Sequence, residues 1–281
     1  MSTTRQPEEA RMTLQRGRLA VGADEMAWEE DLVAVEEPLE IRILGQAYAI
    51  LMRTPGRERD LVAGFLASEG LVHTAADITA TEACRNPETQ DVEANIWNVA
   101  LAEGISFQPR NGSGVVSASC GLCGAQSLEA LQKQLPGKRP TPPQSLSLQA
   151  LRDAFGQLRK AQSLFAETAG CHGVGLWKPG EPDLRDVAED VGRHNAVDKV
   201  LGAQLRADAY PVEEELVLLV SGRISFELVQ KAALAGIPVL AGVGMPTSLA
   251  VQAAADLGLC LLGWVRDAGA NVYAGNLKLK P

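Results

Sequence analysis

At 281 residues the chain has room for one large or two ordinary domains, each with its own core, and a hydrophobic content of 46% excludes a disordered protein. The 26 Lys and Arg against 35 Asp and Glu leave a net charge of -9, so the overall field repels polyanions and excludes nucleic acid as the main partner. A small anionic ligand met by a local cluster of Arg and Lys stays compatible with that balance.

Residues 1–30 are polar and acidic and read as a flexible arm. Met1 to Gln15 holds no apolar run, so neither a secretory signal nor a membrane anchor is expected and the location expected is the cytoplasm. Five cysteines, an odd number in a long chain, argue against a disulfide framework. Of these, Cys84 and Cys260 read as structural, the latter within the apolar run Leu257 to Leu262.

Residues 31–140 read as a small mixed α/β domain. Glu40 to Met52 gives two short strands with a turn at Gly45-Gln46, Asp60 to Glu69 gives a helix stopped by Gly70, and Val92 to Leu101 alternates as a strand. The domain ends in Ser117-Ala-Ser-Cys120-Gly-Leu-Cys123-Gly124. A helix over Ala125 to Leu135 follows, from Leu128, Leu131 and Leu135 at i, i+3 and i+7. Both thiols then fall near a helix start, which favours a thiolate, and Asn111-Gly-Ser-Gly114 supplies backbone freedom upstream. Spacing alone leaves redox or sulfur chemistry, a structural zinc half-site and an incidental pair open.

Four prolines between Pro136 and Pro143 mark a linker and the domain boundary. Residues 141–281 form the second domain, opening with a helical pattern over Leu146 to Glu167. Thr168-Ala-Gly170-Cys171-His172-Gly173-Val-Gly175 then reads as a glycine-rich turn from helix to strand. From residue 215, strands at 216–220, 237–241 and 259–265 alternate with helices at 225–235 and 247–257, the pattern of a mostly parallel sheet covered on both faces. Ligands of such sheets bind beyond the carboxyl ends of the strands, here Ser221-Gly222-Arg223, Gly242-Val-Gly244 and Arg266.

Glu189 to Lys199 is dense in polar groups and leads into a helix. Helical spacing sets Asp190 and Asp198 one turn from His194, where either carboxylate fixes its tautomer or raises its pKa, while Arg193 and Lys199 are placed to meet phosphate. A solvated charged face is the bland alternative. Ser221-Gly-Arg223-Ile-Ser225 offers an anion site between strand and helix, or merely an N-cap by Ser225 beside a surface arginine. Cys120, Cys123, Cys171 and His172 are also of the right types for a zinc quartet.

In this order the segments Glu36-Glu-Pro-Leu39, Thr54-Pro-Gly56, Ala63 to Leu66, Cys120 to Gly124, Thr168 to His172, Glu189 to Lys199, Val220 to Arg223 and Gly244 to Ser248 resemble the formate dehydrogenase accessory sulfurtransferase family, FdhD/NarQ. The run from 189 to 199 is the most specific of them. The resemblance implies a sulfur carrier: a cysteine desulfurase passes a persulfide to Cys120, assisted by Cys123, and the sulfur goes to the molybdenum or tungsten bis-molybdopterin guanine dinucleotide cofactor before its insertion into formate dehydrogenase. It also implies a homodimer and a cytidine-deaminase-like fold for the second domain. The deaminase zinc signature is absent here, so no metal carries over. By the same resemblance the cofactor meets His172, Arg193, His194, Ser221 and Arg223. Its guanine end, for which GDP is a stand-in, meets Trp264, Val265, Arg266, Asp267, Ala268 and Gly269, with Trp264 stacking on the base. Two departures stand out: Ala169 where a second glycine is usual, and a turn at Asp267-Ala-Gly-Ala270 that is not basic. A zinc-stabilised cofactor chaperone without sulfur transfer and a thiol-disulfide oxidoreductase are the competing functions.

Overall fold

A computed structural model describes residues 10–18, 25–107, 128–137 and 140–281. Strands β1 (Arg11–Arg18) and β2 (Ala27–Ala34) pair as an antiparallel ribbon, so much of the segment expected as a flexible arm is strand. Its polar composition hid it, because cross-strand charges rather than apolar alternation hold it. Arg16 meets Asp31 at 2.8 Å and Glu29 at 3.6 Å.

A four-stranded sheet follows in the order β4-β3-β6-β5, from β3 (Glu37–Ile43), β4 (Gln46–Arg53), β5 (Ile78–Arg85) and β6 (Val92–Leu101). The β3–β4 hairpin turns at Leu44-Gly45, with φ of 49° and 81°, one residue before the place expected. Strand β3 sends Leu39, Ile41 and Ile43 inward at the strand period of two. Helix α1 (Glu58–Ser68) covers this face, and α2 (Leu128–Gln134) follows the undescribed stretch 108–127.

The second half opens with β7 (Ser145–Ser147), which pairs with the last strand, β14 (Lys278–Lys280). The helical pattern expected over 146–167 is broken into α3 (Leu148–Ala161) and α4 (Ser163–Thr168) at Gln162. The break has a partner: the Glu189 carboxylate accepts from the Leu164 and Phe165 N–H groups at 2.9 and 2.8 Å, satisfying two donors at the start of α4.

The main sheet has the order β13-β12-β11-β10-β8-β9. Its strands are β8 (His172–Trp177), β9 (Leu184–Asp190), β10 (Val217–Val220), β11 (Val239–Gly242), β12 (Cys260–Arg266) and β13 (Gly269–Ala274). The central β10, β11 and β12 are parallel, as the alternation predicted, while β8, β9 and β13 complete the sheet through antiparallel pairings. Helices α5 (Arg193–Arg206), α6 (Phe226–Leu234) and α7 (Ser248–Asp256) pack on one face with Leu218, Leu240 and Leu261. Helix α3 covers the other face, against Val217, Leu219, Val239, Ala241 and Leu262.

One apolar cluster crosses the proline-rich boundary, joining Leu39, Leu61 and Trp97 to Val197, Leu218 and Leu240. Its seam is α1 on α5, which meet backbone to backbone. A Cβ on Gly64 would stand 1.9 Å from the Asp198 carbonyl oxygen, and one on Gly202 would stand 1.8 Å from that of Asp60. Among the described residues no helix is long and apolar enough to cross a membrane.

Candidate functional site at the carboxyl edge of the main sheet

Because β8 runs against β10, its first residues lie beside the end of β10, and the end of β9 lies on the other side of β8, with Asp190 opposite His172. Ser221 and Gly173 lock this corner: the Ser221 N–H donates to the Gly173 carbonyl and the Gly173 N–H to Ser221 Oγ, each at 2.9 Å. Beyond the strands the backbone ladder continues, with Gly244 N–H donating to the Gly222 carbonyl and Trp264 N–H to the Gly244 carbonyl, both at 3.1 Å. Glycine is required at 244, where a Cβ would fall 2.7 Å from the Gly222 oxygen.

His172 and Arg193 stand over Gly222. A Cβ there would meet His172 Nδ1 at 3.1 Å and Arg193 Cδ at 4.0 Å. Burial and the neighbouring Arg193 and Arg223 hold the His172 pKa below its ordinary value, against the opposing pull of Asp190. Burial first, then Arg223, also lowers that of Arg193, whose Nε is buried with no acceptor among the described residues. Helices α5 and α6 start at this corner from Gly192 and Ser225, and neither side chain caps its helix, whereas the Thr247 hydroxyl caps α7 at 3.3 Å. Two uncapped helix starts, two arginines and a histidine make an anion-accepting corner.

His194 faces inward behind this corner. It is 4% exposed, and its Nε2 shares a hydrogen bond of 3.2 Å with Ser225 Oγ. Burial first, then Lys231 and Arg193, pushes its pKa down to about 3, so the ring is neutral and its 3.7 Å approach to Glu227 is no ion pair at pH 7. The expected partnership with Asp190 or Asp198 is not made. Asp190 ends a strand rather than sitting in the helix, and its carboxylate takes Lys199 at 2.7 Å, Gly192 N–H at 2.9 Å and Asn195 at 3.0 Å. Asp198 turns to Lys231 and Ser68, at 2.7 Å each.

Lys199 is likewise not available to phosphate. At 2% exposure it is spent on Asp190 and on the Thr54 and Glu189 carbonyls, since six residues of helix carry it away from the face of Arg193. Ser225, read only as an N-cap candidate, is a partner of His194 instead, and Glu227 went unnoticed; the Ser-x-Glu spacing at the start of α6 was the available signal. Thr54 also has a structural reason: its N–H reaches Asp190 at 3.2 Å and its Oγ1 accepts from Val191 at 3.1 Å, so the first half of the chain buttresses the corner.

The neighbours Cys171 and His172 diverge. The Cys171 thiol is buried beside Thr54 Oγ1 at 3.8 Å, with Ala10 and Leu164 around it, and burial pushes its pKa up to about 11. Ala169, at φ 52°, takes the left-handed cap of α4, which is why glycine suits that position. No cluster of three or more His, Cys, Asp or Glu fit to hold a metal occurs among the described residues, and Cys120 and Cys123 lie outside them.

At the far end of the edge, a register shift between Gly263 and Arg266 turns two side chains outward. Trp264 is 47% exposed, and the Arg266 guanidinium lies over its ring at 4.7 Å. Val265 between them is packed in the core, so only its backbone faces the edge. Asp267 is fully exposed and bonds Arg152 at 3.2 Å, Ala268 is exposed, and Gly269 has φ 147°. The structure thus brings His172, Arg193, Ser221 and Arg223 into one corner, with His194 behind it and Trp264 and Arg266 at the other end of the same edge.

The FdhD/NarQ family model matches residues 34–280. A sulfur carrier protein FdhD from Nocardia farcinica is 43% identical over 89% of both chains, and one from Streptomyces avermitilis 42% over 96% of both. A crystal structure of a putative formate dehydrogenase accessory protein from Desulfotalea psychrophila superposes with a TM-score of 0.72 at 24% identity, over 95% of this chain and 97% of that one, which shows a shared fold. By family match and by identity over nearly its whole length, the chain belongs to the FdhD/NarQ family.

Proposed function

We propose that this protein carries sulfur for formate dehydrogenase: Cys120 takes a persulfide from a cysteine desulfurase, and the sulfur is delivered to a molybdenum or tungsten bis-molybdopterin guanine dinucleotide held at the carboxyl edge. The observation that carries the reading is the cationic corner, where the buried Arg193 Nε has no acceptor among the described residues while Arg223 and two uncapped helix starts converge on the same space. A phosphate-bearing ligand supplies the missing acceptor, and Trp264 with Arg266 offers a stacking face for a base. The cargo contributes the metal that finally takes the sulfur; the protein binds, orients and hands over. His172 and Ser221 shape the corner, and neutral His194 keeps Ser225 in place.

The thiols support the same division of labour. Cys171 and Cys260 are pushed up to about 11 and Cys84 is raised, each chiefly by burial, so none of the three is a thiolate at neutral pH. Cys120 and Cys123 remain for the chemistry. The Cys120 thiolate attacks the desulfurase's outer sulfur, forming one S–S bond and releasing the desulfurase thiolate. Attack by Cys123 on Cys120 then releases the carried sulfur as hydrosulfide and leaves a Cys120–Cys123 disulfide, the two thiols giving up the two electrons that the sulfur gains. The cellular thiol pool resets the pair.

Expression in a bacterium stripped of its own FdhD-family protein tests this reading. The wild type restores formate dehydrogenase activity; Cys120→Ala abolishes it, and Arg193→Met lowers it at least about tenfold, the scale of a lost charge-assisted contact. Full activity with Cys120→Ala contradicts the proposal.

A further inference from the structure

Three helices of the second half start on a hydroxyl residue in extended conformation: α3 on Ser147, α6 on Ser225 and α7 on Thr247. Ser147 and Thr247 act as caps, their side-chain oxygens accepting from the N–H three residues on, that of Ala150 at 3.2 Å and that of Ala250 at 3.3 Å. Ser225, with φ -98° and ψ 170° against -80° and 160° at Thr247, has nearly the same backbone and makes no such bond. Its hydroxyl is held by His194 Nε2 at 3.2 Å instead. The acceptor that would meet the Leu228 N–H is turned away from it.

His194 is the second residue of α5, so one ring ties the first turn of α5 to the cap position of α6. The ring is 4% exposed, and a buried nitrogen left without a partner costs more than a missing cap on a helix start that water or a ligand can reach. Glu227, the one acid in the first turn of α6, lies 3.7 Å from the same Nε2 and favours the tautomer protonated there. Ser225 Oγ then accepts from the ring, and its own proton is left for a ligand. Gly192 has no side chain with which to cap α5, so both helix starts open on the corner of His172, Arg193 and Arg223, where Arg193 Nε is buried without an acceptor among the described residues. We propose that His194 is a positioning residue: by holding the Ser225 hydroxyl it keeps the start of α6 uncapped, so that the Leu228 N–H and its neighbours stay free to donate to the phosphates of the cargo. This rests on the cargo site of the sulfur-carrier reading and adds how that site is kept open.

Calorimetric titration of the full chain with GDP and with inorganic pyrophosphate, beside hydrogen exchange at the Leu228 amide read by NMR, tests it. In the ligand-free wild type the Leu228 amide exchanges faster than the capped Ala250 amide, and pyrophosphate slows it. His194→Leu releases the hydroxyl to cap α6: Leu228 exchange slows without ligand, and both dissociation constants rise about tenfold, the scale of a lost charge-assisted contact. His194→Gln, which keeps a donor for Ser225, stays within about threefold of the wild type. The effect of Ser225→Ala reverses in sign. It weakens binding in the wild type by removing a donor and strengthens it in His194→Leu by removing the cap, a reversal that a merely structural His194 does not produce. The wild-type exchange needs no substitution, so it decides even where His194→Leu does not fold. A Leu228 amide already protected in the ligand-free wild type, unchanged affinity in His194→Leu, or weaker binding from Ser225→Ala with and without His194 overturns the proposal and leaves sulfur carriage on Cys120 standing. A wild type that binds neither GDP nor pyrophosphate overturns it together with the cargo site on which it rests.

Discussion

His194 shows how a single side chain is set by what surrounds it rather than by its neighbours in sequence. Its ring titrates near 6.5 when exposed and near 3 in the folded chain, so unfolding lets it take up a proton that the native state refuses. Its contribution is fully present above pH 6.5 and is lost as pH falls toward 3. At pH 4.5 this costs about 2–3 kcal/mol relative to pH 7. His194→Gln, which keeps a hydrogen bond to Ser225 and cannot titrate, therefore loses less stability between pH 7 and pH 4.5 than the wild type by about that amount. Urea unfolding of both proteins at the two pH values checks it, and parallel losses would show that the ring is protonated in the native state. The candidate corner was legible in sequence only in part: Ser221 and Arg223 follow the end of a parallel strand, whereas His172 opens a strand that runs antiparallel to it and Arg193 opens α5. The pairings were not: the partners of Asp190, Asp198 and Lys199 depend on helix phase and on a strand, β9, whose charged residues concealed it.

Among the elements, α1 and α5 do most to hold the corner in place. Arg57, at the start of α1, reaches Asp186 through both terminal nitrogens at 2.9 Å and the Val187 carbonyl at 2.8 Å, tying α1 to the strand that ends in Asp190. The two helices approach closely because Gly64 and Gly202 lack side chains at the crossing. Gly202→Ala, which in an isolated helix would be favourable by about 1 kcal/mol, must here push apart two backbones and destabilises the protein by about 3 kcal/mol or more. Thermal denaturation checks this, and an unchanged or raised midpoint would mean the crossing is looser than described. The same elements show what periodicity reveals. Strand β6 is legible in the sequence to its limits, and the apolar strands β10, β11 and β12 nearly so, because burial imposes continuous or alternating apolar residues. The ribbon, β5 and β9 are not, since their faces are charged and their pairing comes from partners distant in sequence. The break at Gln162 was hidden as well, because the Glu189 carboxylate that caps α4 arrives from another strand.

At the scale of the whole molecule, the expected boundary near the prolines connects two sheets that share one apolar cluster, so the first half serves as a buttress for the second. Thr54, from the first half, braces Asp190 and Val191, and these set the start of α5 where Arg193 stands. A negatively charged protein thereby keeps a local cationic edge suited to an anionic cargo, while every described cysteine is held as a thiol. The central claim is that sulfur rides on Cys120. Intact-mass and peptide mass spectrometry, after incubation of the purified chain with a cysteine desulfurase and cysteine, measures it directly. The account predicts the added mass of one sulfur atom on the Cys120 peptide, lost in Cys120→Ala and accumulating in Cys123→Ala. An unmodified Cys120 peptide, or sulfur found instead on Cys84, Cys171 or Cys260, would contradict it.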